Sequence, residues 1–99
     1  MNADPTYDLF DFTSKSRFIS GRAPRHMKLF AAHALHQATR FQRGEVGLHE
    51  AVDGLRFTAV RHQLVASYGV EEIEWIIGYA FAEVGVHYGD IRPLEGVYP

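Results

Sequence analysis

The chain has 99 residues, of which 46% are apolar and 22% charged, and it contains no cysteine. This length suits one domain with its own core, and the lack of cysteine excludes both a disulfide framework and thiol chemistry. No run approaches the roughly 18 apolar residues of a membrane span, and the acidic start MNADPTYDLF lacks the features of a signal peptide. We therefore expect a cytoplasmic protein that does not enter a membrane.

The net charge of −2 is unevenly distributed along the chain. Residues 13–43 carry seven basic side chains and no acidic one, whereas the segments on both sides of them are acidic. Such a block can pair internally, which is the simplest reading, or it can face an anionic partner. The basic residues that we predict for an anion or nucleic-acid surface are Lys15, Arg17, Arg22, Arg25 and Lys28.

The first 22 residues lack helical periodicity, and Asp4-Pro5 favours a turn or an extended backbone. The segment YDLFDF that follows alternates aromatic and acidic residues, and it has too many aromatic rings for a fully disordered tail. We predict that this N-terminal arm, 1–22, lays its rings on a helical core. The alternative is that the arm docks on another protein.

A first helix is predicted over about 24–43, because Pro24 suits a first helical turn and Gly44 suits a stop. Its apolar face comprises Met27, Phe30, Ala31, Ala34, Leu35, Ala38 and Phe41. The connection after it is short, so a second helix over about 48–68 should return antiparallel. That helix has two apolar stripes: Leu48, Ala51, Val52, Leu55, Ala59 and Ala66, and then Phe57, Val60, Leu64 and Tyr68.

A third helix, over about 71–84, should be the most buried element because it is apolar on two sides. Its first stripe comprises Ile73, Ile76, Ile77, Ala80 and Val84, and its second comprises Trp75, Tyr79 and Ala82. Glu71, Glu72 and Glu74 lie near its start, where carboxylates favour the helix dipole. The glycine- and proline-rich tail, 86–99, should attach to the body through its apolar side chains, Val86, Tyr88, Ile91, Leu94 and Val97. The predicted fold is therefore all-α, a three-helix bundle-like single domain with extended N- and C-terminal arms.

Six histidines raise the question of a metal site. His33 and His36 are three residues apart on one helix face, and the predicted neighbours across from them, Phe57 and Thr58, are poor ligands. HEAVD at residues 49–53 has an aspartate where the metalloprotease helix HExxH has its second histidine. We predict solvated His26, His33 and His36 and a half-buried His62. No nucleophile or phosphate-loop motif is present either, so we expect no metal, no cofactor and no catalysis.

The segment 60–81, VRHQLVASYGVEEIEWIIGYAF, resembles the helix-turn-helix pattern of bacterial DNA-binding domains. Its apolar positions match at Leu64, Tyr68, Val70 and Trp75. The resemblance implies that the second helix would read DNA, yet that helix starts with glutamates, which phosphates repel. A degenerate helix-turn-helix therefore remains only an alternative, beside phosphate contact by the basic segment 15–28.

The second stripe of the third helix indicates the function that we expect. Large aromatic rings in one contiguous exposed patch are uncommon on monomers, and a twofold dimer would bury the patch of both chains. The competing explanation is that YDLFDF or the C-terminal tail folds over this face within one chain. The predicted interface residues are Trp75, Gly78, Tyr79 and Ala82. We expect a non-catalytic helical interaction or regulatory module of bacterial or phage type, which forms a homodimer and binds another protein that the sequence does not identify.

Overall fold

The computed structural model describes residues 25–99, and this range contains four α-helices and no strand. The helices are α1 (Arg25–Gln42), α2 (Leu48–Arg61), α3 (Leu64–Tyr68) and α4 (Val70–Ala82), and a short 3-10 turn follows at Tyr88–Asp90. Helix α4 packs against the other three helices. The all-α class is thus confirmed. The predicted N-terminal arm, 1–22, lies outside the described residues.

Glycines follow both α1 and α4, and the stop at Gly44 is the one that the sequence predicts. After α1, the Gly44 amide donates to the Phe41 carbonyl at 2.9 Å and the Glu45 amide donates to the Arg40 carbonyl at 2.9 Å. Gly44 has a φ of +77°, which a residue without a Cβ adopts easily. This Schellman arrangement satisfies carbonyls that the helix leaves unpaired, and it turns the chain back toward α2. The same pair of hydrogen bonds follows α4 around Gly85.

The core lies between α4 and the inner faces of α1 and α2. Its largest fully buried side chains are Phe81, Met27, Leu55, Ile73, Ile76, Ile77, Ile91 and Val52. The alanines predicted for the inner face of α1, Ala31, Ala34 and Ala38, are also buried. Their small side chains let α4 approach closely, and Phe81 then packs its ring 6.3 Å from the Phe41 ring. The predicted inner stripes of the first and third helices are confirmed.

The predicted second helix, 48–68, is interrupted in the structure. Helix α2 ends at Arg61, and Gln63 adopts a left-handed conformation with a φ of 66° before α3 begins. That conformation costs a non-glycine residue about 1–2 kcal/mol. The break turns the chain so that Leu64 is buried, and burying a leucine contributes about 1.5–3 kcal/mol. The burial of Leu64 therefore offsets the cost of the left-handed backbone at Gln63.

Several burials predicted for the second helix are wrong. Phe57 is 62% exposed, and Ala66 and His62 are also exposed. A continuous helix would have placed Phe57 and Leu64 on one stripe, but after the turn at Gln63 their side chains no longer lie on the same face. Of these two residues, Leu64 alone reaches the core.

The tail attaches to the body at fewer points than predicted. Ile91 is fully buried and Val86 packs against the core edge, whereas Leu94 and Val97 are exposed. Beyond Pro93 the chain is held by the Tyr98 hydroxyl instead, which hydrogen-bonds to Glu74. Within residues 25–99, no helix combines the length and the apolar character that crossing a bilayer requires.

Candidate functional site

The outer face of α4 carries the four residues that the sequence predicts for an interface. Trp75 is 36% exposed and Ala82 is exposed, whereas Gly78 and Tyr79 are half-buried. Trp75 and Tyr79 are one helical turn apart, and their rings stack at 5.5 Å between centroids with an interplanar angle of 7°. The two rings are therefore parallel and offset, and each covers part of the face of the other.

Gly78 is covered by a ring of its own chain. A Cβ atom at this position would lie 3.1 Å from Cδ1 of Tyr88, which is closer than side chains normally pack. The sequence predicts Gly78 as part of the homodimer interface. Among the described residues, the group that approaches Gly78 this closely is the Tyr88 ring, from the C-terminal tail. The absence of a side chain at Gly78 thus serves to seat Tyr88 on the helix.

An open groove of about 600 Å³ runs along this face. Its lining residues are Glu71, Glu74, Trp75, Gly78, Tyr79 and Tyr88. The surface of the groove is mostly apolar, because three aromatic rings, those of Trp75, Tyr79 and Tyr88, contribute to its lining. The two charged residues that line it are both glutamates, one exposed and one buried.

A buried ion pair lies beneath the groove and joins α2 to α4. Arg56 is 5% exposed and Glu74 is 7% exposed. The guanidinium donates from Nε to Oε2 of Glu74 at 2.8 Å and from Nη2 to Oε1 at 2.9 Å. This bidentate geometry is the strong form of an arginine–carboxylate contact.

The same ion pair holds the C-terminal tail. The Tyr88 hydroxyl donates to Oε1 of Glu74 at 2.8 Å, and the Tyr98 hydroxyl donates to Oε2. Arg56 also donates from Nη2 to the Ile91 carbonyl. Each oxygen of Glu74 therefore accepts two hydrogen bonds, which uses its usual acceptor capacity. Residues 25–99 contain no buried side-chain nitrogen or oxygen without a hydrogen-bond partner.

These contacts determine the protonation states of the cluster. Burial by itself raises the pKa of Glu74, but hydrogen bonds from Arg56, Tyr98 and Tyr88 outweigh it and hold that pKa below its ordinary value. Burial and the hydrogen bond to Glu74 raise the pKa of Tyr88 to about 12, and the same causes raise the pKa of Tyr98. Near neutral pH the cluster is an ion pair with two neutral phenols.

The sequence does not reveal this cluster. Glu74 is predicted only for the start of the third helix, and no role is predicted for Arg56. A signal was present, because Glu74 precedes the buried Ile77 by three residues and Arg56 precedes the buried Ala59 by three. Charged residues on two buried stripes imply that they pair with each other, because an isolated buried charge is very costly.

The histidines lie apart from this cluster. His33 and His36 are exposed on α1, and His33 shares a shallow surface groove with Phe57 and Thr58, as predicted. Partial burial and the neighbouring charge of His36 lower the pKa of His33. His62 is exposed rather than half-buried. Across residues 25–99, no three histidine, aspartate or glutamate side chains are grouped so that they could hold a metal ion.

The residues of the nucleic-acid alternative are only partly within the described range. Arg25 and Lys28 are exposed in the first turn of α1, whereas Lys15, Arg17 and Arg22 precede it. In the segment that resembles a helix-turn-helix, the first helix is divided by the turn at Gln63 and only the five residues of α3 directly precede α4.

Comparison with known proteins finds no relative of this chain. No protein-family model matches the chain, no curated protein matches it, and no solved structure matches it. The residues of the site are therefore the basis for the function proposed below.

Proposed function

We propose that this chain is a non-catalytic helical interaction module that forms a homodimer through the outer face of α4 and binds another macromolecule. The observation that carries the proposal is the exposed Trp75 ring, which stacks on the half-buried Tyr79. We further propose a cytoplasmic accessory role of bacterial or phage type, which agrees with the absence of cysteine from the chain.

The aromatic pair has the properties of a binding anchor. Tryptophan and tyrosine are enriched among the residues that dominate interface energies, because each buries a large apolar surface with few rotatable bonds. Stacking on Tyr79 restricts the Trp75 ring before any partner arrives, so little further side-chain entropy is lost on binding. A twofold axis near α4 would bury the pair of both chains in one contact.

The ion-pair cluster supports a non-catalytic role. A general base needs a free lone pair directed at a substrate proton. Glu74 has both oxygens occupied by Arg56, Tyr88 and Tyr98, and its lowered pKa makes it a weaker base than a solvated carboxylate. The cluster therefore acts as a structural joint beneath the proposed interface.

The test is the mass of the protein in solution, measured by light scattering after size exclusion. We expect twice the chain mass of 11.2 kDa for the wild type and one chain mass for Trp75→Glu. Phe57→Glu is the matched control, because Phe57 is an exposed aromatic residue on α2, away from the groove. Circular dichroism should show the same helicity for all three proteins. A wild-type mass of 11.2 kDa at tens of micromolar would contradict the homodimer.

Binding of a further macromolecule is tested by affinity capture from the native host with the same three proteins. We expect partners that are retained by the wild type and by Phe57→Glu, and lost from Trp75→Glu. Partners that Trp75→Glu retains in full would place the second binding function elsewhere on the chain.

A further inference from the structure

The groove on α4 combines aromatic walls with acidic groups. Its lining includes the Trp75–Tyr79 stack and the Tyr88 ring, which is seated on Gly78. The face of an aromatic ring carries negative electrostatic potential, which attracts cations, and tryptophan attracts them most strongly. The apolar walls also suit the methylene groups of a long basic side chain. The aromatic lining of the groove thus suits an aliphatic stem that ends in a positive charge.

The charges at the groove favour the same ligand. None of its six lining residues is basic, and its exposed charged residue is Glu71, one turn before Trp75. Two positive charges act on the hydroxyl end of Tyr88: those of Arg56 and Arg92. Arg56 is neutralised by Glu74 in the bidentate pair, and Arg92 does not line the groove. A carboxylate therefore remains at the groove for a bound cation, while an acidic ligand would be repelled.

We propose that this groove is a socket for an arginine side chain carried by a protein partner, an inference that rests on the proposed docking role of this face and in which the partner displaces the second chain of the homodimer from α4. The planar guanidinium stacks on an indole and pairs with a carboxylate through two parallel hydrogen bonds, which a lysine ammonium does not do. Trp75 supplies the stacking surface, Glu71 supplies the carboxylate and the Tyr88 ring supplies an apolar contact for the stem. Glu74 contributes no direct contact, because its acceptor sites are already occupied.

The single tryptophan makes the socket directly observable, because all tryptophan fluorescence of the chain comes from Trp75. The full chain at low micromolar concentration is titrated with n-butylguanidinium and, at equal ionic strength, with n-butylurea, its neutral counterpart of the same shape. We expect a saturable fluorescence change with the guanidinium and a response at least about fivefold weaker with the urea, since the cation–π and ion-pair attractions need the charge. Equal responses to the two probes, or no saturation with either, would refute the socket.

Two variants separate the carboxylate of the socket from general electrostatics. Glu71→Gln removes the charge next to Trp75, and we expect it to weaken n-butylguanidinium binding about threefold, in the range of an exposed ion pair. Glu83→Gln removes an exposed charge just after α4, outside the groove, and should leave the binding unchanged. Equal weakening by both variants would mean that the probe senses only the overall acidity of this face, and the socket would be wrong.

Light scattering on the same samples distinguishes the socket from the proposed homodimer. A wild type that is monomeric and binds the guanidinium selectively has the socket but not the homodimer. If the wild type is dimeric and shows no preference for the guanidinium, and Trp75→Glu is monomeric, the chain has the homodimer but not the socket.

Discussion

Removing the carboxylate of Glu74 tests whether the buried ion pair holds the fold together. In Glu74→Leu, Arg56 stays buried, and its remaining partners are the Ile91 carbonyl and Asp53. The Asp53 carboxylate is a weak partner, because its Oδ1 lies 3.8 Å from Nη1 of Arg56 and its side chain is 69% exposed. Breaking a buried pair by removing one partner typically costs about 3–5 kcal/mol. Because Asp53 compensates only weakly, we expect a loss of about 3–4 kcal/mol. A domain of this size has a total stability of about 5–15 kcal/mol, so the effect is large.

The measurement is urea denaturation followed by circular dichroism, arranged as a double-mutant cycle with Arg56→Met. We expect the double variant to lose less stability than either single variant, because it leaves no unpaired buried charge. It should still lose about 1–3 kcal/mol, since the hydroxyls of Tyr88 and Tyr98 lose their acceptor. The control is Glu71→Ala, an exposed carboxylate one turn earlier, which should change the stability by less than about 1 kcal/mol.

Two results of this cycle would refute the reasoning. A loss below about 1 kcal/mol in Glu74→Leu would mean that water reaches the guanidinium easily, so that the pair is not effectively buried. Additive losses in the double variant would mean that Arg56 and Glu74 contribute independently, which the bidentate contact excludes.

Three further predictions follow from the packing and from the pKa values. The lowered pKa of Glu74 contributes stability that is present above its unfolded value of 4.5 and is lost as the pH falls below it. The raised pKa of Tyr88 contributes stability that is present below pH 10.0 and is lost as the pH rises toward about 12. The melting temperature should therefore fall at both ends of this pH range. Phe81→Ala should destabilise the fold by about 3–5 kcal/mol in urea, because Phe81 is fully buried. Gly54→Ala, with no atom within 4 Å of the new Cβ, should raise the melting temperature through a gain of about 0.5–1 kcal/mol, whereas Gly78→Ala should not, because Tyr88 blocks it.

Local patterns in the sequence predict most of the helical framework. The inner face of α1 and its stop at Gly44 depend on residues within a few positions of one another, so periodicity and glycine reveal them. The break at Gln63 has no such local mark. Glutamine is an ordinary helix residue, and the chain turns there only because burying Leu64 against the other helices compensates for the strained backbone.

The candidate site was predictable only on its exposed side. Trp75 and Tyr79 fall on a second stripe that helical geometry alone places away from the core. The cluster beneath them depends on Arg56 and Glu74, which are 18 residues apart and meet only after α2 and α4 have packed. The sequence shows an acid and a base, but their pairing is a property of the tertiary structure.

The ion-pair cluster also has a consequence for the lifetime of the folded chain. Its hydrogen bonds join residues that are 14 to 35 positions apart, so they form only after long loops have closed, later than the helices themselves. Contacts that are absent from the folding transition state affect the rate of unfolding far more than the rate of folding. We therefore expect Glu74→Leu to fold nearly as fast as the wild type and to unfold roughly a hundredfold faster, since about 3 kcal/mol then falls on the unfolding barrier. The cluster would thus control how long the tail stays attached, while the local contacts of α1 and α2 control how quickly the chain folds.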